Sequence, residues 1–405
     1  MKYFCIVFAM TLCVACTRAP VKKRADALKK SSRDLSLTDD LSLPSLAEAI
    51  RREAAVWKAK PVETGKAVFG QKIISSKTYA AALEYAAQAA ETSADKESFL
   101  AVIKRDFDFY EAYGLNDWSK VLLTSYFEPE LKGSLKKSDV FSQPLYKTPS
   151  DLVEVAFSRS DERFADLGQL RGRLAKDKTA RGTAQLLPYF TRDEIDNKSA
   201  LKNRGLELCY LDPVDAFFLQ IQGSGTIVLQ DGSLFRVGYS DQNGQPYQAL
   251  GRFLLDVIPL EKMSMQSIVA YLRTLPVDKM KTLLAKNPSY AFFQKREGPA
   301  LTSNGTPAVA GRTIATDGRY FPKGTLAFLK FEKPIFATPE DSEPKKFEST
   351  ARLVLDQDSG GAITGGGRVD LFWGTGAEAQ QSAGVMKQTA ELFYLVPKDT
   401  LLEKL

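Results

Sequence analysis

From Val121 to the C-terminus the chain returns again and again to strand-forming runs, and the helical periods between them are too few for an alternating β-α-β chain. The clearest run is AFFLQIQGSGTIVLQDGSLFRVGY, residues 216–239. There Asp231-Gly232 separates two stretches rich in β-formers and predicts a hairpin. Met265, Ile268, Val269, Leu272 and Leu275 recur at helical spacing until Pro276 breaks the run, and a second short helix is expected around 280–284. Residues 325–331, 352–355 and 392–396 read as strands, and the polar stretch 338–349 as a loop. Upstream, 46–110 looks helical. Residues 79–90 are dense in Ala, and Asp95 is placed to cap a helix carrying Phe99, Leu100, Val102 and Ile103. The fold class is therefore mainly β with flanking helices.

The chain has 405 residues, enough for two or three domains at roughly 150 residues each. It contains no histidine. That excludes Ser-His-Asp and Cys-His catalysis, histidine general bases and every His-containing metal site. Acid-base chemistry near neutral pH then falls to Asp, Glu, Tyr, Lys or Cys. Three of the four cysteines lie within the first sixteen residues, so neither a disulfide framework nor a Cys-based zinc site is available, and no metal is expected. Cys209 reads as a core thiol. The net charge of +6 suits a polyanionic surface but is spread too widely to indicate nucleic acid.

The first sixteen residues, MKYFCIVFAMTLCVAC, carry one Lys, an apolar run over 3–13 and small residues ending at Cys16. The run is too short to span a bilayer and reads as a secretory signal over 1–15. Cys13-Val14-Ala15-Cys16 resembles a lipobox, with Cys13 where a Leu is usual, so Cys16 is the expected lipidated residue. Thr17 follows rather than Asp, which favours an outer membrane facing the periplasm. Residues 16–45, rich in Lys, Arg, Ser and Asp, read as a flexible tether.

Several clusters could carry chemistry. Asp317, Asp358 and Asp370 all sit among glycines, and 365–367 is a Gly-rich loop. Glycines let backbone approach a ligand closely, and a carboxyl beside Phe372 and Trp373 would be partly desolvated and usable as a general acid. Asp beside Gly is also a common turn former. Gln222-Gly223-Ser224-Gly225, placed after a strand, offers neutral donors and acceptors of the kind that hold sugars. The loop YSDQNGQPY (239–247) suits a carbohydrate groove or an ordinary turn. Glu128 and Glu130 flank Pro129 and could be catalytic or simply solvated. No P-loop pattern is present, and no cofactor is expected.

In order along the chain, TSYFEPE (124–130), LPYFTRDEI (187–195), VDAFFLQIQGSG (214–225), GYSDQNGQPY (238–247), NPSYAFF (287–293) and the three-aspartate C-terminal region resemble the membrane-bound lytic murein transglycosylase A family over about 105–398. The resemblance implies a discontinuous double-psi β-barrel domain with a smaller β-rich domain inserted into it and a groove between them. Its boundaries would be 46–127 and 287–405 for the barrel domain, with the three-aspartate region at about 305–398, and 128–286 for the insertion. It implies a peptidoglycan lytic exotransglycosylase, a lyase that cleaves between N-acetylmuramic acid and N-acetylglucosamine without consuming water. Asp370 matches the single catalytic acid-base, Asp358 a supporting aspartate and Asp317 the first of the three. Thr124, Tyr126, Gln222 and Ser224 match groove residues that bind substrate. The implied partners are glycan strands and the membrane, with cell-wall synthesis or division machinery as a further expectation. Where the family often carries histidines, this chain has Gln220 and Gln245. Two other readings stay open: a non-catalytic peptidoglycan-binding lipoprotein, and a hydrolytic glycosidase using Glu128 or Asp358 as a second carboxylate.

Overall fold

The computed structural model describes residues 21, 23–61, 65–156, 169–175, 185–338, 341–361 and 363–405. The chain enters with a short strand, Leu28–Lys30 (β1), and a helix, Leu43–Ala59 (α1). A hairpin of Lys66–Phe69 (β2) and Lys72–Ser75 (β3) follows, then helices Ser76–Thr92 (α2) and Lys96–Asp106 (α3). Asp95 caps α3 as expected, accepting from the Ser98 N–H at 2.8 Å. Strands Phe107–Gly114 (β4), Asp117–Trp118 (β5) and Lys120–Glu128 (β6) lead to Pro129, where the inserted domain begins.

The insertion contains Glu130–Ser134 (β7), Gln143–Tyr146 (β8), Val153–Ala156 (β9), Gln169–Leu174 (β10), Leu186–Pro188 (β11) and Glu207–Leu211 (β12). It continues with helix Pro213–Gln222 (α4), strands Ser224–Val228 (β13) and Leu234–Gln242 (β14), helices Met265–Thr274 (α5) and Val277–Leu284 (α6), and Ala291–Arg296 (β15). The chain then returns through Thr313–Ala315 (β16), Thr325–Ile335 (β17), Lys346–Asp358 (β18), Arg368–Thr375 (β19), helix Gly376–Val385 (α7) and Lys387–Pro397 (β20).

Six strands close a barrel in the order β20-β17-β18-β16-β19-β6, with β6 pairing back onto β20. Two of these pairings are parallel, β16 with β18 and β19 with β6. β17 is buried on both faces from Thr325 to Leu329, because α1, α2 and α3 cover the barrel from outside. Leu46, Ile50, Trp57, Tyr79, Leu83, Phe99 and Ile103 share one core with Leu326, Phe328 and Leu355. Buried Glu53 ties α1 down by accepting from Thr306, Asn304 and Gln357.

The inserted domain is built on a sheet in the order β15-β14-β13-β7-β12-β8, with a separate sheet β11-β10-β9 beside it. The sequence reading ended the insertion at 286, but β15 pairs with β14 and carries the inserted sheet to Arg296.

Three local expectations are corrected. The tether assigned to 16–45 is docked over its described part. β1 pairs with β4, and Leu28 and Leu35 are buried. Its charges, which suggested solvation, are paired: Asp39 with Arg312 at 2.5 Å, both side chains fully buried, and Asp40 with Arg352 at 2.6 Å. The start of the strand run read at 216–239 is helix as far as Gln222, within Pro213–Gln222. Asp212 accepts from the Val214 and Asp215 N–H groups, Pro213 sits in the first turn, and Gly223 at φ 84° ends the helix. Val214, Phe217, Phe218 and Ile221 fall at helical spacing, and the helix is apolar on further faces because it lies between two cores. The hairpin predicted around Asp231-Gly232 is present as β13–β14. Finally, the loop placed at 338–349 is shorter, since β18 begins at Lys346.

Candidate active site

Parallel pairing of β6 and β19 sets the site. Thr124 is in register with Asp370 and Tyr126 with Phe372. Alternation along each strand then puts all four side chains on one face. On the other side of β19, Ala315 of β16 is in register with Asp370 and, through β18, with Asp358. The buried alanine between them leaves the two aspartates as neighbours across one strand. Asp317 lies two residues beyond Ala315, so β16 gathers all three aspartates, which are 53 positions apart in sequence from first to last.

Each carboxylate has a different set of partners. On Asp370, the Thr124 hydroxyl donates to Oδ1, and Arg368 Nε approaches the same oxygen at 3.3 Å. Arg368 Nη2 also lies 3.4 Å from the Thr124 hydroxyl. Oδ2 accepts from no other described residue. The Asp370 side chain is 14% exposed, enough for a ligand to reach it. Asp358 is occupied on both oxygens. Oδ2 accepts from the Tyr126 hydroxyl at 2.8 Å, and Oδ1 accepts from the N–H groups of Ser303 at 2.8 Å and Ser359 at 2.9 Å. Desolvation, then the charge of Asp358, pushes the Tyr126 phenol well up, so it remains a donor. Its ring packs on Phe372 at 5.1 Å.

Asp317 was expected to bind substrate, yet its carboxylate is committed to the protein. Arg319 reaches it through Nε at 3.0 Å and Nη2 at 2.5 Å, and the Gly365 N–H donates at 2.7 Å. Burial works to raise its pKa, but the guanidinium and the backbone donors outweigh burial and hold it below the usual carboxylate range. Asp317 thus pins the Gly-rich loop that leads into β19. Two glycines of that loop, Gly366 and Gly367, pass close to protein backbone. A Cβ on Gly366 would stand 2.7 Å from the Tyr113 carbonyl oxygen, and one on Gly367 3.0 Å from the Leu115 nitrogen.

Gln222 ties the inserted domain to the barrel. Its Oε1 accepts from the Phe127 N–H of β6 at 3.2 Å, and its Nε2 lies 4.0 Å from the Met265 sulfur. Gln222-Gly223-Ser224 follows a helix rather than a strand. Ser224 opens β13, half-exposed, and its hydroxyl engages no other described residue. Of the expected groove residues, Thr124 and Tyr126 stand beside the aspartates, while Gln222 stands at the junction of the domains. Trp373 points away from Asp370, into the core with Phe331, as strand alternation requires. Glu128 is buried in an ion pair with Arg296 at 3.0 Å, where the two connections between the domains meet. Burial raises its pKa against the opposing pull of that guanidinium. Sequence reasoning missed Arg368. Its position two residues before Asp370 on one strand was the available signal. Cys16 lies outside the described residues. Among the described residues no helix is long and apolar enough to cross a membrane.

Comparison with known proteins agrees with this geometry. A family model described as the MltA specific insert domain matches residues 122–294, and one described as the 3D domain matches 312–396. The membrane-bound lytic murein transglycosylase A of Escherichia coli K12 is 27% identical over 281 residues, which are 68% of this chain and 66% of that protein. The chain thus matches about two thirds of that relative's length. The Vibrio cholerae protein of the same name is 30% identical over 213 residues, 51% of this chain and 55% of that protein. A crystal structure of a membrane-bound lytic murein transglycosylase from Agrobacterium tumefaciens superposes with a TM-score of 0.69 at 27% identity, covering 92% of this chain and 98% of that one. The insertion, the three-aspartate barrel and the order of the motifs thus all match the membrane-bound lytic murein transglycosylase A family.

Proposed function

We propose that the chain is a peptidoglycan lytic transglycosylase, cleaving the β-1,4 bond between N-acetylmuramic acid and N-acetylglucosamine with Asp370 as its single acid-base. The observation that carries this reading is the asymmetry of the Asp370 carboxyl. Oδ1 is held by Thr124 and Arg368, while Oδ2 is left without a partner among the described residues. A fixed carboxyl with one free oxygen can hand a proton to the leaving glycosidic oxygen as the anomeric centre gains oxocarbenium character. The same oxygen then takes the proton of the muramyl C6 hydroxyl as that hydroxyl attacks C1 and closes the 1,6-anhydro ring. Because the nucleophile belongs to the same sugar, its effective molarity stands in for a second carboxyl; well-oriented intramolecular reactions reach about 10⁵–10⁸ M.

The hydrolytic alternative needs a second available carboxylate, and both candidates are engaged. Glu128 is paired with Arg296, and Asp358 accepts three hydrogen bonds. Asp358, through Tyr126, supports the wall of the site. The neutral Gln222-Ser224 segment at the domain junction suits sugar hydroxyls and amides.

The lipobox-like Cys13-Val14-Ala15-Cys16 supports attachment to a membrane through Cys16, at an outer membrane and facing the periplasm. Val21 already packs against the barrel core, which leaves five residues of reach from Cys16, a span of at most about 18 Å. The barrel would then work close to its anchoring bilayer.

The test is digestion of purified murein sacculi by the soluble form starting after Cys16, with released muropeptides read by mass spectrometry. Products ending in 1,6-anhydromuramic acid, absent with Asp370→Asn, are expected. Reducing ends would replace this reading with the hydrolase. Binding to sacculi without release would replace it with a scaffold.

A further inference from the structure

A fourth aspartate, Asp356, lies on β18 two residues before Asp358, fully buried, and has no part in the chemistry above. Its carboxylate is saturated. Lys323 Nζ donates to Oδ1 at 2.7 Å, and the hydroxyls of Thr316 and Tyr394 each donate to Oδ2 at 2.6 Å. Desolvation, then the charge of Asp356, pushes the Tyr394 phenol well up, so it too remains a donor. Lys323 places its two other ammonium protons on Thr316, on the hydroxyl at 2.6 Å and on the carbonyl at 2.8 Å. Every charged atom of this pair is thus engaged within the protein, and neither side chain has a group left for a ligand.

Two connections join the pair to the site. The first runs along β18. Asp356 is in register with Ile314 and Asp358 with Ala315, so β18 carries one residue more than β16 over this step, a bulge at Gln357. A bulge beside an active site re-aims a side chain, here that of Asp358, which accepts from Tyr126. The bulge is held from both strand faces. Gln357 accepts from Thr313 at 2.6 Å and donates to Glu53 of α1 at 2.7 Å, while Asp356 is held by Lys323. The second connection is Thr316. Its N–H donates to the Asp358 carbonyl at 3.1 Å, and the next residue, Asp317, accepts from the Gly365 N–H at the loop that leads into β19 and Asp370. Lys323 therefore grips the one residue that touches the backbone of Asp358 and adjoins the anchor of the Asp370 strand. Its own loop is closed by Gly324, whose N–H donates to the Asp356 carbonyl at 2.6 Å.

We infer that Lys323 and Asp356 are positioning residues for the cleavage site, a buried ion pair that holds the β18 bulge and Thr316 together and so sets Asp358, Tyr126 and Asp370 in their working places. The inference rests on the transglycosylase reading.

The test is Lys323→Met, which removes the ammonium and keeps an unbranched stem. Anhydro-product release from soluble murein glycan strands is followed at a temperature where every variant is folded, with sedimentation on sacculi and thermal melting alongside. The pair touches no substrate, so kcat should fall about tenfold or more while KM stays within about twofold and sedimentation is unchanged. Thr316→Val should show the same split. Thr316→Ser keeps the hydroxyl between Lys323 and Asp356 and should stay within about threefold of wild type. Asp39→Asn opens another buried ion pair of the barrel domain and is the stability control, expected to melt earlier yet keep its kcat. A Lys323→Met protein with kcat within twofold of wild type would overturn the inference. So would a loss carried by KM, or a kcat loss that Asp39→Asn reproduces at an equal fall in melting temperature. If Lys323→Met does not fold, the Thr316 variants decide, and a Ser variant as slow as Val, or a Val variant as fast as wild type, overturns it. If wild type itself yields no anhydro ends, the transglycosylase reading falls first, and this inference with it.

Discussion

Thr124→Val isolates what holds Asp370, the proposed acid-base, in place. The change removes one hydroxyl, keeps a β-branched residue of nearly equal shape on β6, and leaves the parallel register with β19 to the backbone. The lost contact is a hydrogen bond to a carboxyl that, in the proposed reaction, becomes ionised as it gives up its proton, and such a bond to a charged acceptor is worth about 1.5–3 kcal/mol. Arg368 stays on the same oxygen at 3.3 Å, so the lower end applies. At about 1.4 kcal/mol per tenfold in rate, anhydromuropeptide release should slow by roughly 10- to 30-fold. Thr124→Ser keeps the hydroxyl and should stay within about threefold of wild type. The assay is the initial rate of 1,6-anhydro product release from sacculi, with melting temperature and sedimentation as controls. A Val variant as fast as wild type, still folded and still binding, would mean that Thr124 does not position Asp370. A Ser variant as slow as Val would point instead to packing of the γ-methyl.

Asp39→Asn should lower the melting temperature by several degrees, since it strips the counter-charge from a fully buried Arg312, a class of change that costs about 3–5 kcal/mol. Differential scanning calorimetry checks this, and an unchanged melt would mean the N-terminal segment is not anchored by that pair. Glu391 accepts from Arg33 and Lys120, and their donors outweigh burial to hold its pKa down at about 2. A depressed carboxyl stabilises the fold fully above its ordinary value and loses that contribution as pH falls through the range down to about 2. Glu391→Gln should therefore melt earlier than wild type at pH 7, with the gap closing towards pH 2. A gap independent of pH would refute the linkage. Cys209 is buried in the inserted core, where desolvation pushes its thiol up to about 12 and leaves it unreactive. Cys209→Ser should keep its turnover while melting earlier, because an unpartnered buried hydroxyl costs about 1–3 kcal/mol. Loss of turnover in a folded protein would assign the thiol a role that the structure does not.

Much of the site was legible because its parts are short and local. Asp370 with its Val-Asp-Leu-Phe-Trp context, Asp358 before its glycines and the TSYFEPE run could each be recognised without knowing where the chain goes. The helix at 213–222 was misread because its phenylalanines and isoleucine favour strands in isolation, while the Asp212-Pro213 start and Gly223 stop favour helix. A helix wedged between two cores shows too little amphipathic contrast for periodicity to arbitrate. The docked segment around Asp39 was misread for a related reason. Lys, Arg and Asp look solvated in sequence, and only their partners hundreds of residues away show that they are not.

By itself, then, the sequence determined the chemistry on offer: a chain without histidine, with carboxylates set among glycines and strand-forming runs to carry them. Tertiary structure decided which carboxylate keeps an oxygen without a partner among the described residues. Asp317, Asp358 and Asp370 read alike as Asp among glycines, yet one pins a loop through Arg319, one is saturated by Tyr126 and two backbone N–H groups, and one keeps an oxygen open. The physical reason is register. Thr124 and Asp370 are 246 residues apart, and only the parallel pairing of β6 with β19 puts a hydroxyl on one oxygen of that carboxylate and leaves the other open. Hydrogen-bond partners across a barrel are a property of strand order and stagger, which no local window of sequence contains.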